Sequence, residues 1–435
     1  MRTTEALKAL KALKALGALA ALGITVAAQA QTIAIVGGRV LPVSGPAIDG
    51  GTVIIRDGRI TAVGRDVAIP EGAQRIDAAG KWVTPGIINP ATQLGLVEVG
   101  QVSETRNATA RGDQGTAVHA AFTVWDGLNP LSVLFAPARN EGVTTVAVLP
   151  TGGLVSGQGA LVDIVEGGIS DMIVRSPIAM VAQVGDPGSA NANSRGELLL
   201  RLRELLEDSR AYARRRADFE RAQTREFAAS RLDLEAMQPV LAGRVPLLIV
   251  ADKASDIEAA LRLAREYSLR IVIGSGAEAW MVADKLAAAK VPVLVGSMVN
   301  IPGSFATLGA RQENPGLLRR AGVEVALIGT GSDPDAFNVR NIKQEAGNAV
   351  AYGMTWDDAL RAITLTPAEI FGVADRYGSL QPGRVANVVV WSGDPFEFST
   401  RVEHVFVRGV SALAPSRQDE LMTRYKTLPP SFRQP

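Results

Sequence analysis

An α/β chain built as a (β/α)8 barrel of the TIM type, with a small β-sandwich domain formed by both ends of the mature chain, is what this sequence predicts. Three observations carry the prediction. β-rich, turn-punctuated segments occur near both ends, the middle alternates apolar strand-like runs with helical patterns, and its strand-to-helix spacing of about two dozen residues suits a parallel barrel. The 435 residues, 47% hydrophobic and 20% charged, are enough for two domains and a large core.

The elements follow in chain order. Arg2, Lys8, Lys11 and Lys14 precede the apolar run Ala15 to Ala28, and "AQA" at 28–30 offers a small-residue cleavage site. Residues 1–30 are therefore expected to be a signal peptide and the protein to be exported to the periplasm. The apolar run is shorter than the ~20 residues that a span requires, and no later segment is long enough for a stable membrane span. From 31 to 84 short β segments alternate with turns, and Asp57-Gly58 between alternating apolar residues is a hairpin signal. "GSLQPGRVANVVVWSGDP" and "RVEHVFVRG" repeat that character, so 31–84 plus 376–412 form one composite β domain.

Between them, residues 85–375 form the barrel. Apolar runs at "VTTVAVLP", "PLLIVAD", "RIVIGS", "PVLVGS" and "EVALIGTG" are separated by helical patterns such as "SDIEAALRLAREYS". A doubly wound open sheet is the competing reading of this rhythm. A charged helical stretch near 194–234 reads as an insertion over the barrel with a solvated face, and 413–435 as a C-terminal tail.

Composition narrows the function. The formal net charge is +1, and removal of four positive charges and one negative charge with residues 1–30 takes it to −2, which argues against a nucleic-acid partner. The absence of cysteine excludes thiol nucleophiles, Cys-ligated zinc and disulfides.

Several stretches carry a resemblance: "VTPGIIN" leading into the first barrel strand, "GGLVSGQGALV", "KASDIEAALRLA", "GAEAWMVADKLAAAKVPVLVG" and, most specifically, "TPAEIFGVADRYGSLQPGRVANVVVWSGDP". Over nearly the whole mature chain they resemble the amidohydrolase superfamily, in particular its exported imidazolonepropionase-like members. The resemblance implies hydrolysis of C–N bonds, amide or cyclic amide, by one or two divalent metals at the C-terminal mouth of the barrel. Bound water there loses a proton near neutral pH and attacks the substrate. It also implies His-x-His on the first strand, since residues i and i+2 point to the same side and reach one ion.

Here those two positions are Ala91 and Gln93. Alanine has no donor atom, and an amide oxygen is a weak substitute for imidazole on zinc. Val250 or Asp252 faces the mouth where the next histidine is implied, and Ser275 stands at the matching position after that. The closing strand offers Asp333, with Asp335 nearby. The whole chain has two histidines, His119 and His404, whereas a family-type binuclear centre takes about four imidazoles. The expectation is a scaffold whose metal-ligand histidines are lost.

Asp333 and Asp252 are the candidate catalytic pair, able to serve as general acid and base, or else paired with Lys253, Arg340 or backbone amides. Gln93, Ser275, Ser156 and Asp335 complete the candidate pocket. The glycine-rich stretch around Ser156 reads either as a nest of amides for an anionic group or as a tight structural loop, and Ser156 has no activating base in sight. Glu278 reads as a favourable first-turn carboxylate.

The function expected is that of a homologue of hydrolase descent with a degenerate metal site. It would be non-catalytic, binding a small-molecule or peptide-like ligand, or partnering a paralogous amidohydrolase or further copies of itself. No cofactor is expected. Two alternatives stand beside it: an active hydrolase with an oxygen-rich mononuclear zinc site around Asp333, Asp252 and Gln93, and a metal-free hydrolase using the carboxylates alone.

Overall fold

Side-chain alternation builds the barrel. On the strand Leu247–Ala251, Leu248 and Val250 join an apolar cluster in the lumen, while Leu247, Ile249 and Ala251 join the cluster beneath the surrounding helices. The computed structural model describes residues 32–110, 118–185, 192–298, 302–329 and 336–427. The expected signal peptide, Asp333, Asp335 and the last eight residues of the expected tail lie outside them.

Sixteen strands occur in the described residues, in two sheets. β1 (Ile33–Val40), β2 (Ile48–Arg56), β3 (Arg59–Gly64), β4 (Gln74–Asp77) and β5 (Trp82–Pro85) open the chain. The barrel strands are β6 (Ile87–Thr92), β7 (Val143–Val148), β8 (Val155–Asp163), β9 (Ile173–Gln183), β10 (Leu247–Ala251), β11 (Ile271–Ser275), β12 (Val293–Val295) and β13 (Val325–Leu327). β14 (Val388–Trp391), β15 (Val402–Val407) and β16 (Val410–Ser411) close it.

The first sheet draws on both ends of the chain, in the order β16-β15-β14-β5-β1-β2-β3, with β4 also paired to β1. Its β2–β3 turn is the expected hairpin: Asp57 and Gly58 have φ of 51° and 73°, the left-handed pair that a two-residue turn needs. The second sheet runs β6 to β13 in sequence order, and β13 comes back against β6, so the barrel nearly closes. The helix Leu365–Ile370 and Phe371, Val373 and Tyr377 behind it join the lumen cluster with Ile88, Leu161 and Val272. The predicted barrel with a second β domain is the fold found.

Two parts of the middle differ from their reading in the sequence. The glycine-rich stretch taken as a nest or tight loop is strand β8, which runs antiparallel to both β7 and β9 while the other barrel pairings are parallel. Its glycines answer to close approach: at Gly157, where φ is 124°, a Cβ would lie 2.6 Å from the Phe122 carbonyl oxygen. The stretch near 194–234 is the barrel's own crossover from β9 to β10, because its helix Arg195–Arg214 buries Leu198, Leu202, Leu205 and Leu206. The many charges beside that stripe had masked its period.

The floor end of the barrel is locked to the other sheet by one saturated carboxylate. Asp163 at the end of β8, fully buried, accepts from Thr145 Oγ1 at 2.7 Å, Asn387 Nδ2 at 3.1 Å, Tyr377 Oη at 2.9 Å and Arg408 Nε at 2.6 Å. Burial and the Asp163 charge push the Tyr377 phenol well above its ordinary value. Among the described residues no helix is long and apolar enough to cross a membrane.

Candidate functional site

The C-terminal ends of the barrel strands enclose a cavity of about 340 Å³. Its polar lining is Gln93 after β6, Thr151 after β7, Gln183 at the end of β9, Asp252 after β10 and Ser275 at the end of β11. Its walls are apolar, from Leu149, Val181, Leu248, Val250, Leu294 and Ile328. Gln93, Asp252 and Ser275 are thus brought together by three different strands, where the pleat turns their side chains toward the mouth.

Asp252 and Ser275 form a pair. The Ser275 hydroxyl donates to Asp252 Oδ1 at 2.5 Å, and the Ala277 N–H donates to the same oxygen at 3.2 Å. None of the hydrogen bonds among the described residues uses Oδ2. Burial raises the Asp252 pKa; the hydrogen bonds from Ser275 and Ala277 oppose the rise, and the charges of Glu278 and Asp256 add to it. No ion pair joins Asp252 to Lys253 among the described residues.

Ser275 is held in a strained turn. Its φ is 71°, rare for a residue with a Cβ, and the Gly276 N–H reaches back to the Gly274 carbonyl at 3.1 Å, closing a γ-turn. Buried Asn314 fixes the loop beyond. Its Nδ2 donates to the carbonyls of Gly276 at 2.9 Å and Ala277 at 3.1 Å, and its Oδ1 accepts from the Trp280 N–H at 3.1 Å. Glu278 serves as a clamp, accepting from the Ala254 N–H and the Gly309 N–H, each at 3.0 Å. It caps the helix Ala254–Tyr267 from outside that helix, a stronger structural role than the first-turn carboxylate expected.

On the opposite wall, Gln93 Nε2 donates to Thr151 Oγ1 at 3.1 Å, and that hydroxyl lies 3.1 Å from Thr109 Oγ1. Ser156 is on β8, fully buried, with its hydroxyl unpartnered among the described residues, and it does not line the cavity. Its place in a strand between Val155 and Gly157 keeps it from the mouth. His404 lies on β15 in the other sheet, and His119 bonds through its backbone N–H to the Val155 carbonyl beside β8.

The family's zinc does not fit these donors. Ala91 has none, Val250 has none, Gln93 brings only an amide oxygen, its Nε2 donating to Thr151, and Asp252 brings one unbonded carboxylate oxygen, short of the roughly three imidazole or carboxylate ligands of a catalytic zinc. Among the described residues no group of three or more His, Asp or Glu could hold a metal ion. Gln183, Thr151 and Asn314 escaped the sequence reading. A glutamine ending the apolar run "IAMVAQ" was the available signal for Gln183.

Known proteins match this architecture. The model of the Amidohydrolase family matches residues 309–412. The chain is 25% identical over 387 residues to an imidazolonepropionase of Acidiphilium cryptum, covering 80% of this chain and 89% of that protein. It is 22% identical over 397 residues to the amidohydrolase tasK of Hapsidospora irregularis, and there it spans only 40% of the relative's length against 83% of its own. Among solved structures, an amidohydrolase from Thermotoga maritima superposes with a TM-score of 0.78 at 27% identity, over 87% of this chain and 99% of that one. A molinate hydrolase shares the fold at 21% identity and a TM-score of 0.54, over 88% of this chain and 94% of that one. By its barrel, its composite sheet built from both chain ends and these matches, the chain belongs to the amidohydrolase superfamily.

Proposed function

We propose that this chain, of C–N hydrolase descent, is a non-catalytic binding homologue that holds a small amide- or peptide-like ligand at the barrel mouth without the family's metal. The observation that carries the reading is the Asp252–Ser275 pair. The pair leaves one carboxylate oxygen, Oδ2, where a catalytic zinc would need about three imidazole or carboxylate ligands, and no such group stands among the described residues. What remains suits an amide. Asp252 Oδ2 can accept a ligand N–H, the primary amide of Gln183 and the Thr151 hydroxyl can meet its carbonyl, and Leu149, Val181 and Leu294 cover its apolar part.

The reading includes export, supported by the basic and apolar pattern of residues 1–30, and association with a paralogous amidohydrolase or a further copy. The test is calorimetric titration of the mature protein with glutarimide and with N-acetylalanine amide, together with chromatography of the ligands after long incubation. Saturable binding with no hydrolysis is expected, and Asp252→Ala should weaken it about tenfold, the worth of one charge-assisted hydrogen bond. Hydrolysis of either compound that needs added zinc and disappears in Asp252→Ala would favour the oxygen-rich metal site instead.

A further inference from the structure

A second cavity lies at the other end of the barrel from the mouth. It holds about 320 Å³ at the seam between the floor of the barrel and the C-terminal strand β16. Arg139, at the end of the helix Phe135–Asn140, lines it and is only 7% exposed. A guanidinium has five N–H donors. Here one hydrogen bond is made among the described residues, from Nη1 to the Ile164 carbonyl at a long 3.4 Å, and Nε is buried with no partner. No carboxylate of the described residues lies within ion-pair distance of it.

That is costly, since an unpaired charge out of water loses its hydration without return. The neighbouring Arg408, lining the same cavity, shows how this fold treats a structural arginine: Nε sits on Asp163 at 2.6 Å and Nη1 donates to the Asp171 carbonyl at 2.6 Å. Arg139 is the exception, and burial lowers its pKa, with the charge of Glu166 only partly opposing.

The other charges in the lining select the ligand. Glu166 and Asp171 are exposed at the rim, and Asp171 Oδ2 already accepts from the Gly168 N–H at 2.8 Å. A simple anion would meet Arg139 favourably and these carboxylates unfavourably. A molecule that carries a carboxylate and an ammonium side by side satisfies both. Val165, Val407 and Leu413 give its side chain an apolar surface, and Asn140 pins the adjoining Ala414 carbonyl at 2.8 Å, so that wall is fixed.

We infer that this cavity is a binding site for a small apolar zwitterion of the α-amino acid class, with its carboxylate on Arg139 and its ammonium toward Glu166. The inference is independent of the reading of the mouth. It is tested on the mature chain by calorimetry with L-leucine, with leucinamide, which lacks the carboxylate, and with 4-methylpentanoate, which lacks the ammonium.

Leucine is expected to bind at least about tenfold more tightly than either half-ligand, the worth of one charge-assisted contact. Arg139→Met should abolish leucine binding. Glu166→Gln, at an exposed position that tests the idea without risk to folding, should reduce leucine to the level of 4-methylpentanoate. Asp252→Ala at the mouth should leave leucine binding unchanged. Absence of binding by leucine up to roughly 10 mM, a free energy near the weakest useful affinity, would overturn the site. Leucine and 4-methylpentanoate binding equally would overturn the zwitterion, and leucine binding unchanged in Glu166→Gln would do the same.

Discussion

Two aspartates at opposite ends of one barrel are treated in opposite ways. Asp163 at the floor is saturated by donors on both oxygens from four residues, drawn from the barrel, the segment behind the helix Leu365–Ile370 and the composite sheet of both chain ends. Asp252, lining the cavity at the mouth, has two donors on one oxygen and, among the described residues, none on the other. The difference separates a polar group kept for architecture from one kept for a ligand. A buried carboxylate whose lone pairs are all used leaves nothing for chemistry, whereas a half-used one beside open space is raised in pKa and available.

The comparison breaks first at the floor. Asp163→Ala leaves Arg408 without its carboxylate and strips Tyr377, Thr145 and Asn387 of an acceptor, so it should cost about 3–5 kcal/mol in denaturant unfolding. A cost within that of an ordinary surface substitution would mean that the joint is not what binds the two sheets.

Asp252→Asn should go the other way. The folded pKa of Asp252 lies above its ordinary 3.8, so the folded state holds a proton that the unfolded state has released, and stability falls as pH rises through that window. Asparagine keeps the acceptor for Ser275 and Ala277 without the charge. The variant should match the parent at pH values below 3.8 and exceed it at neutral pH by about 1 kcal/mol, as relief of a desolvated charge. A parallel pH dependence in the two proteins would deny the aspartate its strained state.

Ser275→Gly sharpens the same point with the smallest effect. Relief of the positive φ gains about 1 kcal/mol and loss of the hydroxyl's hydrogen bond costs about the same, so the net change should be near zero. The Asp252 carboxylate, losing that donor, should then titrate still higher by NMR.

How far the sequence disclosed this is itself uneven. Strands β7 and β10 to β13 announced themselves as apolar runs, because strands buried on both faces are continuous in hydrophobicity. β8 did not, since Gly157 lies against the loop carbonyl of Phe122 and Gly159 against Leu149 and the Val148 carbonyl, too closely for a Cβ, and such glycines look like a loop. Gln93, Asp252 and Ser275 were legible from the strand-end positions at which the resemblance implies metal ligands. Gln183 was not, because the run "IAMVAQ" that carries it was not read as a barrel strand although "GDPG" follows it, and Asn314 was not, because it acts through loop carbonyls 37 and 38 residues away in sequence. Arg139 was invisible for a plainer reason: the lack of a partner is a property of three-dimensional packing.

The function we propose requires a mouth without the family's metal, with the aspartate–serine pair kept for a ligand. Its most direct test is elemental mass spectrometry of the mature protein, purified without a histidine tag and dialysed against trace zinc and manganese. The account predicts metal well below one ion per chain. Near-stoichiometric metal that is lost in Asp252→Ala would contradict it.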